Sequence, residues 1–257
     1  MGTRLSVITV TYNSERHIAE QIRSVALACR TFPYEHIVVD NASDDRTVDI
    51  VRHCRGVTLI ENAENVGFGK ANNLGFKQST GEYILLLNPD MKQITDLAQA
   101  IKKLESDDKI GILGARLLNP SGDLNARSTP RRFPRLLDQL AILTKMAKIF
   151  PKLLSRYIMN DVSFVDEMDV DSVQGSWMLL DRKMIAELGG LFDERFYIWF
   201  EDVDLCRRAH EAGYQVVWDP RQQAIDIGGQ SFIGRSLFYK QWQFVRSMGT
   251  YFMKWGP

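Results

Sequence analysis

The first 118 residues alternate short apolar runs with segments whose apolar positions recur every three or four residues, the pattern of strands each followed by a packed helix. Leu5–Thr11 reads as a buried strand, and Ile18, Ile22, Val25 and Cys29 then predict an amphipathic helix within residues 15–29. Ile37–Val39 is a second strand. The helix after it carries the stripe Val48, Val51 and Cys54, with Ser43 or Asp44 as its cap. Val57–Ile60 is a third strand, followed by the loop Glu61–Val66 and a helix from Gly69 to Gln78. Tyr83–Leu87 is a fourth, continuously apolar strand that runs into Pro89, which has no N–H to offer a ladder. A helix over Ile94–Leu104 and a strand over Ile110–Leu118 complete an α/β pattern that predicts a mostly parallel central sheet flanked by helices.

After Asn119 the texture changes. A turn at Pro120–Asp123 leads into a long loop holding Arg127, Pro130, Arg131, Arg132 and Pro134, and loops of that length in compact domains are usually functional or disordered. Residues 136–150 place Leu136, Leu140, Leu143, Ala147 and Phe150 on one helical stripe, with Lys145, Lys148, Lys152 and Arg156 near the other side. Asp169–Leu180 reads as a strand interrupted by Gly175, and Glu201–Ala212 as a helix closed by Gly213. Towards the end, Phe238, Trp242, Val245, Met248, Phe252 and Trp255 recur every three or four residues beside Arg235, Lys240, Arg246 and Lys254. That stripe suits a helix lying on a membrane surface, although packing on the protein's own core explains the same stripe and is the preferred reading.

Composition narrows the classes. A chain of 257 residues with 45% hydrophobic and 25% charged positions can bury a sizeable core, which excludes disordered and fibrous proteins. Thirty-two bases balance thirty-two acids, against nucleic acid as a bulk partner. Cys29, Cys54 and Cys206 are odd in number and scattered, as are the four histidines, so neither a disulfide framework nor a zinc site is expected. No signal-peptide pattern and no apolar run of 18 residues is present, which reads as a cytosolic protein whose membrane contact, if made, is peripheral on the inner face.

Ligands of parallel α/β sheets bind at the carboxyl ends of the strands. Here those ends carry Thr11-Tyr12-Asn13, Asp40-Asn41 and Asn88-Pro89-Asp90, polar groups that suit a phosphorylated ligand. The stretch Asn65–Asn73 contains Gly67 and Gly69 but lacks a third glycine at Asn72 and follows the third strand, so it is no dinucleotide fingerprint. Asp40, acceptor only, would select uracil, thymine or guanine over cytosine, or else cap the loop after its strand. The turn at Pro89 could hold Mg²⁺ or Mn²⁺ through one carboxylate, or be an Asx-type turn. Further on, five aromatics from Phe192 to Phe200 precede Glu201, Asp202 and Asp204. Helical phasing puts Asp202 on the inward stripe of Leu205, Cys206 and Ala209 and sends Glu201 and Asp204 elsewhere. Burial would raise the Asp202 pKa and the helix N-terminus would lower it, while the acids could also simply complement the helix dipole.

Val7–Asn13, Val39–Asp45, Asn65-Val66-Gly67-Phe68, Leu87-Asn88-Pro89-Asp90, Gly175-Ser176-Trp177 and Glu201–Leu205 together resemble glycosyltransferase family 2, in particular its rhamnosyltransferase-like branch, in order from about residue 5 to 235. The resemblance implies a GT-A fold with a Rossmann-like sheet. Residues 1–118 would form the nucleotide-sugar half, and 119–257 the acceptor and catalytic-base half of the same domain, ending in an amphipathic helix. It implies an inverting hexosyltransferase with Asp202 as general base. Thr11, Tyr12, Asn13, Asp40, Asn65, Gly69, Asn72, Asn88 and Trp177 would surround the nucleotide-sugar, and a divalent Mg or Mn ion would sit at Asp90. Two departures stand out: Asn88 occupies the first position of the acidic metal motif, and Asp226 stands where many members have a histidine before Gly228-Gly229-Gln230-Ser231. Asp226 is thereby a second candidate metal ligand. The donor implied is dTDP-rhamnose, or another dTDP, UDP or GDP sugar, and the acceptor a glycan or lipid-linked precursor of the cell envelope. Two rivals are a sugar nucleotidyltransferase, which would want a basic glycine-rich loop where residues 10–16 offer only Arg16, and a non-catalytic nucleotide-sugar-binding protein.

Overall fold

The computed structural model describes residues 3–126, 128–228 and 236–257. The expected strands and helices of the first half form where the periodicity puts them. They are β1 (Leu5–Thr11), α1 (Ile18–Ala28), β2 (Tyr34–Asp40), α2 (Thr47–Arg52), β3 (Val57–Glu61), α3 (Phe68–Gln78) and β4 (Tyr83–Leu87). The ladder resumes just beyond Pro89 in a short β5 (Met91–Gln93), followed by α4 (Leu97–Ser106) and β6 (Ile110–Leu118). Asp96 caps α4 by accepting from the Ala98 N–H at 2.8 Å, which leaves Ile94 outside the helix and exposed. The cap expected for α2 is different: Asp45, not Ser43 or Asp44, accepts from the Thr47 N–H at 2.9 Å, and Thr47 and Val51 are its buried face.

The second half departs further from its sequence pattern. The stripe of residues 136–150 does not form one helix: α5 (Leu136–Leu143) stops at Lys145, which has a left-handed backbone with φ 60°, and two 3-10 turns follow at Met146–Lys148 and Pro151–Leu154. Leu140 and Phe150 of the expected stripe are exposed. The segment Asp169–Leu180 is two strands, not one: β7 (Met168–Asp169) and β8 (Trp177–Asp181) have different neighbours. α6 (Arg182–Glu187), α7 (Glu201–Glu211), the unpredicted β9 (Gln215–Asp226) and α8 (Leu237–Trp255) complete the chain. β9 was hidden by Pro220 and its run of glutamines. The proline is tolerated because the β6–β9 register shifts there, between Ala115 and Arg116.

The strands form one sheet in the order β3-β2-β1-β4-β8-β6-β9-β5, with β7 also paired to β9. It is parallel across β3, β2, β1 and β4 and mixed beyond, where β8 runs antiparallel to both β4 and β6. Strand β8, from the second half of the chain, therefore lies between two strands of the first. Alternate residues of β4 face opposite ways, as the strand period demands. Leu85 and Leu87 pack under α1 and α4, and Ile84 and Leu86 under α6 and α7. A third layer covers α7 from outside, where Met248 and Tyr251 of α8 join Phe196 and Phe200.

Candidate functional site

The carboxyl ends of β1, β2 and β4 open onto a cleft of about 670 Å³, within the range of small-ligand sites. Tyr12, Asn41, Asn65 and Asn88 line one wall, and Gly175, Ser176 and Asp202 line the other. At the end of β1 the Thr11 hydroxyl donates to Asp40 Oδ1 at 2.8 Å. Ser43 donates its N–H to Oδ2 at 2.8 Å and its hydroxyl to Oδ1 at 2.6 Å. Asp40 is 2% exposed and organises this loop, with one lone pair of Oδ2 left over as an acceptor. Asn13 takes a left-handed backbone, φ 52°, which Asn tolerates, and its Oδ1 accepts from the Asp44 N–H at 3.0 Å.

The glycine-rich loop acts through close approach. A Cβ on Gly67, φ 92°, would lie 2.5 Å from the Tyr197 carbonyl oxygen, so only glycine lets this loop touch the aromatic segment. Asn65 Oδ1 accepts from the Gly67 N–H at 3.1 Å and from the Tyr197 hydroxyl at 2.9 Å. Gly69 and Asn72 stand behind this wall and do not line the cleft. Gly69 packs under Phe196, and the Asn72 amide donates to the Phe68 carbonyl, one helical turn back. Trp177 also lies outside it, 1% exposed in the core with its indole N–H on Gln93 Oε1 at 2.7 Å. The backbone of Gly175 and Ser176, just before it, is what reaches the cleft.

Trp199 and Phe200 both adopt left-handed backbones, φ 66° and 67°, a conformation costing about 1–3 kcal/mol each for such residues. This turn launches α7 with its first residues pointed at the cleft. Asp202 Oδ2 accepts from the Gly175 N–H at 3.0 Å and Oδ1 from its neighbour's N–H, Val203, at 2.8 Å. Desolvation raises its pKa, and these backbone donors only partly oppose that, so burial outweighs the helix N-terminus. Glu201 lines the cleft too, 4% exposed, with Oε2 unpartnered and its pKa raised well above the ordinary value by desolvation and then by Asp202.

Asp204 points away from the inner stripe of α7, as its phasing predicts, but not into solvent. It is fully buried beneath α8, accepting from Lys254 and from the Trp255 indole at 2.8 Å, and it pairs with Arg208 at 3.1 Å. The phasing assumed one buried face on α7, whereas α8 gives it two.

Asp90 sits directly behind Asn88-Pro89, 7% exposed and outside the cleft lining, with Oδ1 unpartnered. Burial raises its pKa first and the nearby Asp226 carboxylate raises it further, while His17 pulls it down. β5 sets this pair facing, because Met91 is in register with Asp226 and the Ile227 N–H bonds the Asp90 carbonyl at 3.0 Å. Asp226 Oδ2 also accepts from Asn125 at 2.8 Å and Ser128 at 3.1 Å. Among the described residues no three His, Cys, Asp or Glu side chains gather into a metal cage. Two crowded carboxylates, one with a bare buried oxygen, do fit a hard cation that completes its shell with phosphate oxygens and water. Gly229, Gln230 and Ser231 of the C-terminal motif lie outside the described residues, as do Arg127 and Arg235.

His17, Arg131 and Glu201 stand at or beside the site although no local motif marks them for it. His17 is far from Asp90 in the chain, so no spacing could link them. Arg131, on the long loop, lines the cleft while its guanidinium donates to the carbonyls of Thr129 at 2.7 Å and Ala126 at 3.2 Å. Glu201 gave one signal: its place next to Asp202.

A family model described as glycosyl transferase family 2 matches residues 6–167. The chain is similar to the N-acetylglucosaminyl-diphospho-decaprenol L-rhamnosyltransferase of Mycobacterium tuberculosis, 27% identical over 236 residues covering 86% of this chain and 75% of that one. It is also similar to the rhamnosyltransferase WbbL of Escherichia coli, 28% identical over 242 residues covering 91% and 86%. In structure it resembles a mannosyltransferase from Pyrobaculum calidifontis solved with GDP-Man and Mn²⁺. The TM-score is 0.64 at 21% identity, over 98% of this chain and 63% of that longer one, a likeness of fold.

Proposed function

The chain belongs to glycosyl transferase family 2 and is a glycosyltransferase of GT-A fold, and on that premise we propose that it is an inverting enzyme transferring rhamnose from a nucleoside diphosphate to a hydroxyl of a glycan or lipid-linked acceptor. Two rhamnosyltransferases among its relatives support the sugar, and one of them acts on a diphospho-decaprenol acceptor by name. In this reading residues 1–118 hold the nucleotide through Tyr12, Asn13, Asp40 and Asn65, with Thr11 fixing the Asp40 carboxylate. Residues 119–257 supply the base and the acceptor side.

The observation that carries the reading is the Asp202 carboxylate. It is desolvated, held at the cleft by the Gly175 and Val203 N–H groups, and opposite the strand ends. Its raised pKa makes it a better proton acceptor than an ordinary aspartate. Asp202 takes the proton of the acceptor hydroxyl as that oxygen bonds to the anomeric carbon. The carbon–oxygen bond to the diphosphate breaks on the opposite face, and the nucleoside diphosphate departs with the electron pair. Asp90 and Asp226 would hold Mg²⁺ or Mn²⁺, which supplies charge neutralisation at the departing diphosphate.

The test is Asp202→Asn, which keeps the volume and removes the proton acceptor. Transfer should fall by roughly 10²–10⁴-fold, while the melting-temperature shift given by dTDP should stay as in the parent. Retained transfer would remove Asp202 from the role of base.

A further inference from the structure

Two neighbouring elements beside the cleft present apolar side chains to solvent. From α5 and the 3-10 turns come Leu137, 77% exposed, Ile149, 72%, and Phe150, 56%. From the first turns of α8 come Phe238, 78% exposed, Trp242, 59%, and Val245. The two elements touch, and both reach the cleft: Ile142 and Leu154 line it from one side, Tyr239 and Phe244 from the other. Single exposed apolar residues need no explanation, but a contiguous group around a site entrance marks an interaction surface.

The charge around the patch says what covers it. Residues 135–156 hold Arg135, Lys145, Lys148, Lys152 and Arg156 against one acid, Asp138, which is buried. Residues 227–257 contain no Asp or Glu at all, in a chain whose total charge is zero. Lys145, Lys148, Lys152 and Arg246 are exposed among the apolar side chains. Amphipathic elements with exposed aromatics and leucines beside lysines are those that settle into the headgroup layer of anionic membranes. The stripe of α8 divides accordingly. Met248, Phe252 and Trp255 pack against α7, while Phe238, Trp242 and Val245 remain uncovered.

We propose that the α5–Leu154 segment and the first half of α8 form one docking surface for an anionic lipid bilayer, seating the cleft mouth against the headgroups. No helix among the described residues is long and apolar enough to cross a membrane, so the contact lies on one leaflet. A hydroxyl acceptor carried on a lipid would then enter the cleft from the membrane side. The docking itself does not depend on the identity of donor or base.

The test uses the full chain and vesicles of phosphatidylcholine with or without phosphatidylglycerol, without nucleotide. The protein should sediment with the phosphatidylglycerol vesicles at low salt, be released by high salt, and ignore the neutral ones. Phe238→Ser with Ile149→Ser, and separately the triple change of Lys145, Lys148 and Lys152 to Glu, should each cut binding about tenfold or more. Because all five side chains are exposed, the melting temperature and its shift with dTDP should not move. Absence of binding to anionic vesicles at low salt overturns the proposal, as does undiminished binding by both variants. A dimer in light scattering that Phe238→Ser dissociates, without vesicle binding, would assign the patch to a second copy of the chain instead.

Discussion

Glu201 and Asp202 are chemically alike neighbours with different surroundings. Asp202 accepts two backbone hydrogen bonds, whereas one oxygen of Glu201 has no partner and is cut off from water, which raises the Glu201 pKa and favours its neutral form. A carboxyl whose folded pKa lies above its unfolded one destabilises as pH rises. Below about 4.5 both states are protonated and nothing is lost. Above that value the unfolded chain releases its proton first, and stability falls until the folded-state group ionises too. Glu201→Gln cannot ionise, so its melting temperature should fall less than the parent's between pH 5 and 8, as thermal denaturation across that range will read. A parallel pH profile would show that Glu201 is ionised at no cost. The sequence marked Asp202 and not Glu201, because phasing counts faces of a helix and cannot see that a left-handed Trp199-Phe200 turn buries the first residue as well.

At the scale of elements, α7 is a helix between the sheet and α8. Its inner face, Leu205, Cys206 and Ala209, follows from its apolar spacing. Its outer face is held by charge: Asp204 is the buried centre of a cluster with Arg208, Lys254 and Trp255. Removing one member of a buried ion pair leaves the others uncompensated. Asp204→Asn should therefore cost about 3 kcal/mol in urea denaturation and loosen α8. Donor-nucleotide binding, proposed above to rest on the ends of β1 and β2, should survive. Unchanged stability would mean that α8 is held by its apolar contacts alone. The Asp204 pairing was illegible in the sequence because Lys254 and Trp255 lie some 50 positions away, and so was β9, whose proline and glutamines mask a strand buried on the sheet.

At the scale of the whole molecule, the cleft exists because β8 returns between β4 and β6, bringing Gly175 and Asp202 opposite the ends of β1 and β2. The same closure sets Asp90 against Asp226. Asp90 is desolvated beside the Asp226 carboxylate, and like charges repel until a cation or proton joins them. Chelation with EDTA should thus abolish transfer, and Mn²⁺ or Mg²⁺ should restore it. Asp90→Asn should raise the Mn²⁺ concentration needed, and calorimetric titration of Mn²⁺ should weaken in parallel. Full transfer in EDTA would show that the pair works without metal. Short apolar runs bounded by turn residues, and period-3.6 stripes between them, marked β1 to β4, α1, α3 and β6, because such elements must bury an apolar face whatever their partners. The strand-end residues Thr11, Asp40, Asn65 and Asn88 were legible for the same reason: local order places them at one sheet edge. Which candidates line the cleft was decided only by tertiary packing, which put Tyr12, Asn65 and Asn88 on it, left Thr11, Asn13, Asp40, Gly69, Asn72 and Trp177 off its lining, and brought Glu201 forward. It also set His17 and Asp226 beside Asp90. Burial and electrostatic proximity arise between residues distant in the chain, and no local pattern carries that information.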